Sequence, residues 1–95
     1  MAFPDDYQTA IAVAMAESGL NPRATNAQDS HQGCKGSYGI FQVGCVHGYS
    51  PTELYDVETN VRVARALYDA AKEETGNPWA PWGAHSNGSY LAYMR

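Results

Sequence analysis

The sequence lacks several features, and each absence excludes a class of function. No cluster of Lys and Arg occurs; six basic residues are scattered among ten acidic ones, for a formal charge of −4. Nucleic acid is therefore not expected as a partner, because phosphate recognition needs concentrated positive charge. The acidic balance, with a pI near 5.1, also disfavours capture by anionic surfaces. The longest unbroken apolar run, Ala10 to Ala16, is too short to span a bilayer, so membrane insertion is not expected. The opening stretch from Met1 to Asp6 has neither the basic region nor the apolar core of a secretion signal. A cytoplasmic chain, one released by another factor and a domain cut from a larger protein all remain open. Repeats, low-complexity stretches and linkers are missing as well, so residues 1–95 read as one domain, expected to be a monomer. Hydrophobic residues at 44% and charged residues at 17% suffice for one modest core.

Cysteine is scarce. Cys34 and Cys45 are the only two, with ten residues between them. Together with His31 and His47 they form the pattern H-x2-C-x10-C-x-H. Three states fit it: a disulfide that pins the segment between the cysteines, two free thiols, or a zinc site with two sulfurs and two nitrogens. The disulfide is the expectation carried forward. A thiol nucleophile paired with His47 lacks any hydrolase context.

What is present is mainly helical punctuation. A first helix is expected over Asp6 to Ser18, capped by Asp5 or Asp6 and stopped by Gly19. Its middle has no polar face, which is the pattern of a buried central helix. Residues from Asn21 to Gly48 are rich in glycine and read as loops around one apolar stretch, Tyr38 to Val43, either a strand or a single helical turn. Ser50, Pro51 and Glu53 form a capping-box start for a short helix. Asp56 then caps a longer helix, Val57 to Thr75, with Val57, Val61, Ala64, Tyr68 and Ala71 at helical spacing. Gly76, Asn77 and Pro78 end it. A short terminal helix is expected near Ser89 to Met94.

Glu17 is the sharpest chemical signal. A carboxylate in the last turn of an apolar helix is either an ordinary exposed glutamate or one held at a cleft. Partial burial disfavours the charged form and raises a carboxyl pKa. A glutamic acid kept protonated is what glycosidic cleavage needs, since it gives its proton to the leaving oxygen.

The words around Glu17 narrow the choice. Glu17-Ser18-Gly19-Leu20-Asn21-Pro22 resembles the E-S-x-x-N-P motif of lytic transglycosylases and related lysozyme-like domains. Residues Gly36 to Val43 resemble that family's G-x-x-G-L-M-Q-I segment, and Asp56 to Val61 its D-P-x-x-N-I block. Trp82 to Tyr90 falls where the family has A-x-Y-N-x-G, and its wording is also similar to phage and actinobacterial cell-wall lysozyme domains. The four matches come in family order.

The resemblance implies a mainly α, small lysozyme-like fold in which a loop-rich or short-β lobe faces the central helix. It implies cleavage of peptidoglycan at the β-1,4 bond between N-acetylmuramic acid and N-acetylglucosamine, with Glu17 as general acid and no cofactor. Ser18, Gln42 and Asn87 would line the cleft, and Tyr38, Trp82 and Tyr90 would stack on sugar faces or fill the core. Two departures bear on mechanism. The loop after Glu17 is longer than the family's, and Ser86 stands where its acid-orienting tyrosine is expected. Asp29 lies in that longer loop, twelve residues beyond Glu17. By the resemblance to goose-type lysozymes, Asp29 would activate water; otherwise it caps a loop turn and the sugar's own acetamido group assists. Hydrolysis is slightly preferred over transglycosylation on these departures. A second class remains: a glycan-binding or structural module of a phage particle or wall-attached assembly that does not cut.

Overall fold

The computed structural model describes residues 3–4, 6–31 and 34–94, with the side chains of 28–31, 34–35 and 45 left undescribed. Four helices are described: α1 (Tyr7–Ser18), α2 (Pro51–Tyr55), α3 (Val57–Thr75) and α4 (Gly83–Ser86). Between α1 and α2 lies an antiparallel sheet of β1 (Thr25–His31), β2 (Cys34–Tyr38) and β3 (Val43–Gly44), in that spatial order. Short 3₁₀ turns cover Cys45–His47 and Ser89–Tyr93. The chain is thus mainly α with a small β lobe, as the sequence implies. No described helix is long and apolar enough to cross a membrane.

Local chemistry sets most boundaries. Gly19, in the left-handed region at φ 65°, closes α1 by donating to the Met15 carbonyl. The Ser50 and Glu53 capping box starts α2, and the Asp56 carboxylate accepts from the Thr59 N–H to start α3. Gly76 at φ 78° ends α3.

Three expectations need correction. Asp6 does precede α1, but its side chain caps nothing; its Oδ2 accepts from Tyr68 Oη at 3.1 Å and Trp79 Nε1 at 2.8 Å. The carboxylate ties the chain start to α3 and the C-terminal segment instead. Nor is α1 buried all round: Ala10, Ala12, Val13 and Ala14 are buried, whereas Ile11 is 49% exposed. A run of small apolar residues hides which face turns inward. On α3 the periodic Val57 is exposed, because it sits in the first turn beyond the core, while Asn60 and Val63 are buried.

The core joins both ends of the chain. Phe3 is buried against Phe41, Tyr68 and Trp79, with ring centroids 5.3–5.6 Å apart. Val13 and Ala14 of α1, Leu54 of α2, Val63 and Ala64 of α3, Val43 and Trp82 complete it.

Candidate active site

The segment 39–42, between β2 and β3, is held from beneath. The Asn60 amide, fully buried on α3, accepts from the Phe41 N–H at 3.0 Å and donates to the Tyr38 and Leu54 carbonyls, both at 2.9 Å. Gly39, at φ 82°, lies so close that a Cβ there would collide with the Asn60 side chain and the Leu54 carbonyl. The turn carries Gln42 at φ 51°. Gln42 Nε2 donates to the carbonyls of Ala24 at 3.0 Å and Gly39 at 2.8 Å. With both amide hydrogens directed at backbone, the polar group it offers a ligand is its oxygen, an acceptor.

Across from this turn runs the segment from Trp79 to Ser89. Trp82 is buried, and its indole N–H donates to the Phe41 carbonyl at 2.9 Å. That bond joins the two walls. Between them opens a cleft of about 630 Å³. The β lobe contributes Asn26, the stretch 42–44, Val46 and His47; the opposite wall contributes residues 80–84, Asn87 and Ser89. Ala16 and Glu17 of α1 and Leu67 of α3 complete the lining.

Glu17 is half-buried in this cleft, and its Oε2 accepts from the Ala84 N–H at 3.1 Å. Its α1 neighbour Ser18 turns elsewhere, donating to the Ala14 carbonyl at 3.1 Å and the Ile40 carbonyl at 2.7 Å. Ser18 thus fastens α1 to the turn and is not part of the lining. Asn87 lines the cleft while its Oδ1 accepts from the Ser89 N–H at 2.8 Å.

The aromatic candidates divide. Trp82 reaches the cleft wall while filling the core. Tyr38 packs edge-on against Tyr55 at 6.1 Å, and Tyr90 stacks on His85 at 4.4 Å; neither lines the cleft. Ser86, at the tyrosine position of the resemblance, turns its hydroxyl to the Trp82 carbonyl at 3.3 Å.

The side chains of Asp29, His31, Cys34 and Cys45 lie outside the described residues, and with them the aspartate, disulfide and zinc expectations. The backbone at Asp29 is described. The β1–β2 register pairs Asn26 with Ser37 and Ser30 with Lys35, so β1 carries extra residues between Asn26 and Ser30. The backbone at Asp29 therefore lies in the irregular stretch of β1 that begins at the cleft residue Asn26. Among the described residues, no group of three His, Cys, Asp or Glu side chains is arranged to hold a metal. Sequence reasoning missed Asn26 and His47 as cleft residues, since neither belongs to a matched motif for the cleft. Short α4 carries too little pattern to be read.

A family model described as a lysozyme-like domain matches residues 2–84. The chain belongs to that lysozyme-like family. The match includes Glu17, the Asn60-supported turn and Trp82, and stops at Ala84, the residue whose N–H meets Glu17. No curated protein and no solved structure matches the chain. Membership in a lysozyme-like family implies peptidoglycan as the class of substrate and glycosidase or transglycosylase chemistry.

Proposed function

We propose that residues 1–95 form one catalytic domain that cleaves peptidoglycan glycan strands between N-acetylmuramic acid and N-acetylglucosamine. The observation that carries this reading is the position of Glu17: half-buried, at the end of α1, facing a cleft between two walls. The cleft volume falls in the range of about 300–1,000 Å³ usual for ligand sites. Its polar side chains include three amides, those of Asn26, Gln42 and Asn87, which suit acetamido and hydroxyl groups of a neutral sugar chain.

Glu17 donates its proton to the glycosidic oxygen as the bond from that oxygen to the anomeric carbon breaks. The Gln42 oxygen accepts from a sugar N–H or O–H and fixes the ring relative to Glu17. The developing positive charge at the anomeric carbon is then quenched by water, which leaves a reducing muramic acid, or by the sugar's own C6 hydroxyl, which leaves the 1,6-anhydro form. We favour water, with Asp29 taking its proton. Ser86 in place of the family's tyrosine and the lengthened segment after Glu17 that carries Asp29 support that preference.

A mass spectrum of purified peptidoglycan digested by the protein tests the reading. Muropeptides with reducing muramic acid are expected. Anhydro products would overturn hydrolysis and leave the glycosidic cleavage intact. Walls that bind the protein but release nothing would instead support a non-cutting glycan-binding module.

A further inference from the structure

The bond between the Ala84 N–H and Glu17 has a geometry that sorts the two carboxyl oxygens. We infer that Ala84 is a positioning residue: its main-chain N–H fixes the rotation of the Glu17 carboxyl group and holds the transferable proton on Oε1. The inference rests on the glycosidase reading above.

An N–H donor 3.1 Å from Oε2 requires that oxygen to act as acceptor. In the protonated acid the carbonyl oxygen is the better acceptor, so the N–H favours the form with the hydroxyl on Oε1. A proton on Oε2 would leave the N–H only the poorer hydroxyl acceptor, which is costly in a partly buried site. A freely turning carboxyl group would offer its proton in two orientations, only one of them suited to a given glycosidic oxygen. Fixing that rotation before the substrate arrives is preorganisation.

The donor is itself held still on every side. Ala84 is buried, and its carbonyl accepts from Ser89 Oγ at 3.2 Å. Two residues earlier, Trp82 is anchored by its indole bond to Phe41, and the Trp82 carbonyl accepts from the His85 N–H at 3.1 Å. The peptide that carries the Ala84 N–H thus belongs to the wall shared with the core. The contact needs no particular side chain at position 84, only a small one that fits the buried site.

A backbone donor is removed by exchanging its amide for an ester. The full chain is assembled synthetically in three forms: unmodified, with Ala84→lactic acid, and with Ser86→glyceric acid. The second loses the N–H that meets Glu17. The third loses an N–H that donates to Trp82 and serves as the control for weakening α4. Initial rates are measured on soluble, uncross-linked glycan strands, and thermal melting checks that all three forms fold. The Ala84 ester is expected to lower kcat by roughly 10- to 100-fold with KM within about twofold, the scale of a misplaced catalytic group. The Ser86 ester is expected to keep kcat within about twofold, which separates loss of positioning from loss of helix stability. An Ala84 ester with unchanged kcat, or equal losses in both esters, would overturn the inference and spare the glycosidase reading. An inactive unmodified chain would overturn both.

Discussion

The side-chain amide of Asn60 meets the backbone N–H of Phe41 at 3.0 Å, in the interior between α3 and the turn that carries Gln42. Through that bond the N-terminal half of α3, on the core side of the turn, sets the shape of one cleft wall. Asn60→Ala would leave the Phe41 N–H and two carbonyls without this partner. We expect a stability loss of roughly 2–4 kcal/mol, read from urea denaturation, since each buried group stripped of its bond costs about 1–3 kcal/mol. A change below about 0.5 kcal/mol would show that the turn stands without Asn60.

Two glycines with similar backbone angles should respond differently to alanine. Gly19 has φ 65° and open space around a new Cβ, whereas Gly39 has φ 82° and the Asn60 amide and Leu54 carbonyl in the way. Gly19→Ala is expected to cost about 1 kcal/mol, the strain of a left-handed alanine. Gly39→Ala carries that strain and a collision, so its melting temperature should fall clearly further. Equal shifts in the two variants would contradict the close approach at Gly39.

The helix caps predict how stability changes in acid. Hydrogen bonds from Ser50 hold the Glu53 carboxyl below its usual range, and the Thr59 hydroxyl and N–H do the same for Asp56. A lowered folded-state pKa means a contribution that is complete above the unfolded value of about 4 and is lost as pH falls through the folded one. Melting temperature should therefore drop below about pH 4, partly through these caps. The double variant Glu53→Ala, Asp56→Ala should be less stable at neutral pH and show a shallower acid decline. An unaltered acid decline would remove the caps from the explanation.

These caps also show where the sequence was informative. Ser50, Asp56 and Gly76 declare their roles in short-range patterns, so the start of α2 and both ends of α3 were legible. Glu17 was legible because an acid closes an apolar run within a matched motif. The sheet was not, since β1 reads Thr-Asn-Ala-Gln-Asp-Ser-His and lacks the alternating apolar residues by which strands are recognised. Ile11 looked buried because it stands in the unbroken apolar run from Ala10 to Ala16, where the period has nothing to contrast with. The Glu17 contact to Ala84 was beyond reach, because every residue but proline carries the same N–H.

Asp29 separates the two outcomes of glycosidic cleavage. If it activates water, Asp29→Asn should lower the rate of wall lysis by roughly 10²- to 10⁴-fold, the usual worth of general base catalysis. Anhydro products from a fully active Asp29→Asn protein would show that no external water is activated. That result would leave the role of Glu17 untouched.

The central claim concerns Glu17, and Glu17→Gln tests it most directly. Glutamine keeps the shape of the side chain and an oxygen that can accept from the Ala84 N–H, so the fold should survive with a near-normal melting temperature. It has no acidic proton to give to a glycosidic oxygen. The measurement is release of soluble muropeptides from purified walls by the two proteins at equal concentration. The account predicts release by the wild type and none above background by Glu17→Gln; release within a few-fold of wild type by the folded variant would contradict it.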